Sequence, residues 1–187
     1  MSQGFYKTPI DAIASELQIS KKTIYKHFPS KEKLLNEIAN NMISGYNKRI
    51  KLILESELDS AEKFYKLFEY YSVQVQTISQ KWMKDIRLHS PRIWKKIEDF
   101  KNKHIYSIMS QLLEQGKREN LVEDVPSDLV IESITAVTLH LLSPENLFYT
   151  KYSHKEIIEF IFDSYLTGLF TDKGRVKYKK NKNKLKK

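Results

Sequence analysis

Ile10, Ile13, Ala14 and Leu17 repeat at the i, i+3, i+4, i+7 spacing of one buried helix face, and Ile24 with Phe28 resume it after a break at residues 18–20. The spacing predicts two short helices. Thr8 stands where an N-cap belongs, with Pro9 in the first turn and Asp11 three residues on, as in a capping box. Ser20 caps the second helix and leaves Lys21, Lys22, Tyr25 and Lys26 on its outer side. Ser30 opens a third, long helix, with Glu32 in the first turn where the helix dipole favours a carboxylate, and Leu34, Leu35, Ile38, Met42, Tyr46, Ile50 and Ile53 keep helical register through Gly45. Residues 59–79 predict an aromatic-rich helix with Phe64, Phe68 and Tyr71 on one face and Tyr65 and Tyr70 beside it. KWMKDIRLHS reads as a short link, after which Ser90 and Pro91 open a long helix closing near Gly116. Pro126 begins another, and SPENLFYTKYS reads as a loop. Ser153 and Glu156 make a capping box for a last helix that is apolar nearly all round between Ile157 and Phe170, and so needs burial on two sides.

Composition narrows the class. The chain has five Gly and five Pro, with Pro9, Pro29, Pro91 and Pro126 at apparent helix boundaries, and shows no strand alternation or internal repeat; the expected fold class is all-α. The absence of Cys excludes a disulfide framework, a thiol nucleophile and a thiolate metal site. No apolar run approaches the ~18 residues of a membrane span and no signal peptide is recognisable, so a cytoplasmic protein with no membrane partner is expected. The five His, at positions 27, 89, 104, 140 and 154, lack HExxH spacing, and neither a nucleophile elbow nor a Gly-rich phosphate loop is present. The expectation is therefore no enzyme, no metal and no cofactor, with His104 and His140 as core or pocket groups.

The net charge of +9 is unevenly placed: residues 173–187 hold nine Lys or Arg and no acid, while the other 172 carry 23 basic and 23 acidic side chains. Such a tail is expected to be disordered. It can add non-specific DNA affinity through counterion release, or serve only as a solvated segment.

Two short helices about three residues apart make a helix-turn-helix, whose second helix enters the DNA major groove. Residues 4–35, GFYKTPIDAIASELQISKKTIYKHFPSKEKLL, resemble the DNA-binding signature of the tetracycline-repressor (TetR) family of bacterial transcription regulators, through GF..T...IA..L.IS..T.Y.HF.SKE.L. Gln18 departs from the family's usual Gly at the turn; a non-Gly residue in the left-handed conformation there costs about 1 kcal/mol. The resemblance also implies a helix ahead of the pair, yet only Met1, Ser2 and Gln3 precede Gly4. The expectation is that Met1 is an internal methionine near the end of that helix; the other reading is a true start with a weaker domain.

The resemblance implies an N-terminal helix-turn-helix at 1–46, joined by a long connector helix to a helical ligand-binding and dimerisation domain at 47–172; composition adds the disordered basic tail at 173–187. Lys21 and Lys22 are then expected at base edges of a G-containing half-site. Ser20 starts the recognition helix; Thr8, Thr23, Tyr25 and Lys31 are expected at phosphates, His27 borders the groove, and Lys26 is either a phosphate contact or a solvated charge. An apolar effector cavity is expected from Tyr65, Phe68, Trp82, Ile86, Trp94, Phe100, His104 and His140. The family's dimer, a four-helix bundle, would use Ile134, Thr138 and Leu141 with Ile157, Ile161, Tyr165, Gly168 and Leu169; the other reading buries the last helix within one subunit. The implied function is a homodimeric transcription regulator, a repressor, that binds a palindromic double-stranded operator and is released by a small, largely apolar effector. The alternative is a ligand- or protein-binding helical dimer that has lost specific DNA recognition.

Overall fold

The computed structural model describes residues 4–77, 80–143, 146 and 149–184. Its regular elements are helices: α1 Ile10–Glu16, α2 Lys21–His27, α3 Lys31–Leu54, α4 Ser60–Thr77, α5 Gln80–His89, α6 Pro91–Arg118, α7 Ser127–Leu141, α8 His154–Leu169 and α9 Asp172–Lys184. The fold is all-α, with an N-terminal helix-turn-helix followed by a long connector helix. The chain divides into two compact units, one of Met1–Lys48 with Ile78–Phe100 and the other of Arg49–Thr77 with Lys101–Lys187.

In the first unit, α1 and α2 bury Ile10, Ala14 and Ile24 against Ile13, Phe28 and Leu34, the residues the apolar spacing marks. Between them the chain closes α1 by a Schellman turn: the Ile19 N–H donates to the Ala14 carbonyl at 3.0 Å and the Gln18 N–H to that of Ser15 at 3.1 Å. Gln18 accordingly has φ 54°, so the departure from glycine sits in the left-handed conformation as expected. Ser20 Oγ accepts from the Thr23 N–H at 3.0 Å and Ser30 Oγ from that of Lys33 at 3.1 Å, which makes both expected caps real. The expected cap at Thr8 does not form. Pro9 is the N-cap residue and gives no side-chain bond, while Thr8 Oγ1 donates instead to the Gly4 carbonyl at 2.5 Å.

A second core of this unit gathers Leu35 and Ala39 of α3, Trp82 and Ile86 of α5 and Ile93 of α6, with Phe5, Ile38, Trp94 and Ile97 packed against it. The segment read as a short link is therefore a helix, α5, whose i, i+4 pair Trp82 and Ile86 is almost wholly buried.

In the second unit, α8 packs on α4 and α7, and α9 packs on α4. Phe64, Leu112, Leu113, Ile131, Ile161 and Phe170 are buried to within a few per cent. The capping box of α8 forms in both directions, Glu156 N–H to Ser153 Oγ at 3.2 Å and Ser153 N–H to Glu156 Oε2 at 2.7 Å. The Ser153 N–H and then its hydroxyl, both donating to Oε2, hold the Glu156 carboxyl below its ordinary pKa. α6 ends in a second Schellman turn with Asn120 at φ 54°, and the link after it forms an isolated antiparallel bridge, Val122 to Phe170, at the α8–α9 junction.

The tail does not follow its composition. Where disorder is expected over 173–187, residues up to Lys184 form α9, with Tyr178 only 5% exposed, and 185–187 lie outside the described residues. Its ring meets those of Phe170 and Tyr65 at 5.5 and 6.1 Å, and Lys177 pairs with Asp59 at 2.5 Å. A polar segment orders here because one aromatic side chain and acids distant in sequence dock it, and neither shows in local composition.

Candidate nucleic-acid interface

α2 owes its exposure to a single anchor. Ile24 is the buried residue of this helix, and Lys21, Lys22, Thr23, Tyr25, Lys26 and His27 all face solvent. Ser20 fixes the start of the helix through the Thr23 N–H, and its hydroxyl also lies 2.8 Å from Thr23 Oγ1, so these two expected contact residues first serve the cap. A short, capped helix with one apolar face on its support and a cationic outer face is the form of a groove-reading helix.

The cations on this face are not equivalent. Lys21 Nζ binds the Asp11 carboxylate at 2.9 Å, a hydrogen bond that raises the lysine pKa, so Asp11 serves this pair rather than a capping box. Lys22 and Lys26, one turn apart, are exposed and carry no ion pair among the described residues. Lys31 is turned inward: its Nζ donates to the Tyr6 carbonyl at 2.9 Å and stands 5.2 Å from the Phe5 ring centroid, and burial lowers its pKa.

The segment before α1 contributes residues that sequence reasoning missed. The Tyr6 N–H donates to Asp85 Oδ2 at 3.0 Å, and the Tyr6 ring stacks on His89 at 3.6 Å. Gly4 is buried at φ 77°, and a Cβ there would collide with the Asp85 carboxylate. α5 thus seats the segment that enters α1. The available signal was the helical spacing of Trp82 and Ile86 around Asp85.

The expected effector residues are divided between the units. Trp82 and Ile86 belong to the core of the first unit, Trp94 packs against that core, and Phe100 meets Tyr46 edge-on at 5.3 Å. Their spacing gave helical burial, and their contacts are with the core of the first unit. Tyr65 and Phe68 lie in the second unit, both buried, with rings 6.1 Å apart; His104 there is half-buried and His140 exposed. A groove of about 320 Å³ in the second unit, lined by Leu54, Gln111, Leu112, Glu114, Gln115 and Arg118 among others, includes none of the eight.

Of the expected dimer residues, Ile134, Ile157, Ile161 and Leu169 are buried within the chain's own second unit, and Thr138, Leu141 and Tyr165 are partly so. Within the chain α8 packs on both α4 and α7. Gly168 is exposed, with open space where a Cβ would stand, and the exposed apolar positions of these helices are Leu129 and Ala136 on α7 and Phe160 on α8.

Comparison with known proteins matches residues 1–38 to the family described as bacterial regulatory proteins, tetR family. The chain is similar to an uncharacterized HTH-type transcriptional regulator of Bacillus subtilis (strain 168), YvaF, at 22% identity over 171 residues, which is 91% of this chain and 89% of the relative. Among solved structures it is similar to a transcriptional regulator from Cytophaga hutchinsonii ATCC 33406, with a TM-score of 0.72 and 17% identity over 91% of this chain and 92% of that one. A transcriptional regulator from Saccharomonospora viridis in complex with choline gives a TM-score of 0.68 and 20% identity over 89% of both chains. At such identities the structural likeness establishes the fold.

Proposed function

From a chain that belongs to the tetR family of bacterial regulatory proteins, we propose a homodimeric repressor that places α2 of each subunit in the major groove of a palindromic operator and leaves it when a small effector binds the second unit. The observation that carries this reading is the outer face of α2, with every residue but Ile24 exposed on a helix whose start is fixed by Ser20. Such a target places the protein with the chromosome, in the cytoplasm. The S. viridis neighbour, complexed with choline, supports a small-molecule effector. Release then requires that the effector bind the DNA-free arrangement more tightly, since equal affinity for both would shift nothing.

Within the reading head, Lys22 is assigned to a guanine edge and Lys26 to a phosphate, with Thr23, Tyr25 and His27 beside them; Lys21, drawn to Asp11, is a secondary contact. Lys22→Ala should weaken operator binding by about 1–3 kcal/mol and barely change affinity for random DNA. Fluorescence anisotropy with DNA from around the gene, at two salt concentrations, reads both. Equal losses on the two DNAs would move Lys22 to the phosphates.

Dimerisation is assigned to the exposed face of α7 and α8, where Leu129 and Phe160 stand about two-thirds exposed beside Ala136 and Gly168. The small residues allow two helices to approach, and Phe160 is the apolar anchor. Phe160→Glu should yield monomers by light scattering at micromolar concentration, with the helical signal unchanged. A variant that remains dimeric would place the interface elsewhere.

A further inference from the structure

Lys182, near the end of α9, is not a solvated charge. Its Nζ donates to both carboxylate oxygens of Asp163, at 2.7 and 2.5 Å, and stands 5.8 Å from the centroid of the Phe68 ring. Phe162 lies 5.4 Å from Phe68, ring to ring, and Tyr71 6.2 Å from Phe162. A carboxylate neutralises an ammonium charge, while an aromatic face attracts the cation and covers its adjacent methylenes; the two together are the chemistry that holds organic cations. We propose that Asp163 and Phe68, the latter backed by Phe162, form an ammonium site whose resident occupant is the chain's own Lys182, and that a free primary alkylammonium ion competes for it and releases the last turns of α9.

The docking of α9 is firm at its start and weak toward its end. At the start, the Gly174 N–H donates to Thr171 Oγ1 at 3.2 Å, Gly174 lies so close to the Leu121 carbonyl that a Cβ would collide, and the Arg175 guanidinium donates to the Phe170 carbonyl and to Asp172. Further along, Tyr178 buries a hydroxyl that has no hydrogen-bond partner among the described residues. A buried polar group left unpaired opposes its own burial. The ion pair at Lys182 is therefore a principal tie of the helix end, and it is reachable: the Asp163 side chain keeps 45% of its exposure and that of Lys182 27%. A small cation meets the carboxylate without unfolding the unit.

A tethered occupant acts at an effective concentration on the order of millimolar, so a free amine displaces it only in that range or above. Removing the resident ammonium leaves the site open in every molecule and raises the apparent affinity accordingly. The ammonium site rests on this geometry alone, whereas its use as the effector event rests on the function proposed above.

The test is calorimetric titration of n-butylammonium chloride into the full chain, against sodium chloride at equal ionic strength. Lys182→Met, which keeps the apolar stem, should bind the amine roughly tenfold more tightly than the unaltered chain. Adding Asp163→Asn should abolish that gain. In the unaltered chain the amine should hasten tryptic cleavage after Lys179 and Lys180. The proposal is overturned if the Lys182→Met/Asp163→Asn double variant binds as well as Lys182→Met, or if Lys182→Met with a native circular-dichroism spectrum binds no amine. Anisotropy with operator DNA separates the two readings: calorimetric binding without a change in DNA affinity upholds the ammonium site and removes its regulatory role. Loss of sequence-selective DNA binding by the unaltered chain would end the repressor reading and leave the calorimetric result as it stands.

Discussion

Ile86→Ala should lower the stability of the first unit by about 2–5 kcal/mol, the range for removing a fully enclosed aliphatic side chain that the surroundings cannot collapse onto. Ile86 is 0% exposed, in one cluster with Leu35, Ala39, Trp82 and Ile93. The chain has two Trp, and both Trp82 and Trp94 lie in or against this cluster, so urea unfolding followed by tryptophan fluorescence reports this unit directly. With an m-value of about 2 kcal/mol per molar urea, the midpoint should fall by about 1–2.5 M, and operator affinity should fall with the folded fraction. The same experiment decides between two roles for Ile86. A pocket residue would lose effector binding while the unfolding curve moved by no more than the ~0.5 kcal/mol typical of substitutions outside a core.

Phe170→Ala should cost the second unit about 3–5 kcal/mol. Phe170 is 0% exposed, meets Phe64 edge-on at 5.6 Å and lies 5.5 Å from the Tyr178 ring, so one side chain joins α4 to α9 at the point where α8 ends. Its removal should lower the midpoint of the helical melt and, before global unfolding, expose the lysines of α9 to trypsin. Unchanged protection of α9 in this variant would show that the ion pairs of Lys177 and Lys182 hold the helix by themselves.

Much of the reading head was legible because its determinants are local. The apolar spacing of Ile10, Ala14 and Ile24, the caps at Ser20 and Ser30 and the left-handed turn at Gln18 each depend on residues within one or two helical turns, and all occur as the sequence predicts. The capping box at Ser153 and Glu156 is legible for the same reason. Thr8 failed as a cap because Ser, Thr and Asp at a helix start compete among several partners; Gly4 and Lys21 took Thr8 and Asp11.

The long-range assignments behaved differently. Periodicity marks which face of a helix is apolar but is silent about what covers it, so the assignment of Trp82 and Ile86 to a pocket and of the α8 stripe to a dimer interface comes from the family resemblance and not from the spacing. Packing supplies that cover from within the chain: Trp82 and Ile86 lie in the core of the first unit, and α8 packs on α4 and α7 with Ile157 and Ile161 buried and Phe160 exposed. The basic tail is the sharpest case. By itself the sequence determined the helix-turn-helix, the Ser20 cap of its second helix and its cationic face, which follow from contacts between near neighbours along the chain. Only the tertiary structure decided that Lys31 faces inward and that Tyr178, Lys177 and Lys182 have Phe170, Asp59 and Asp163 to bind, because charge and aromatic partners remote in sequence turn a solvated segment into an ordered helix.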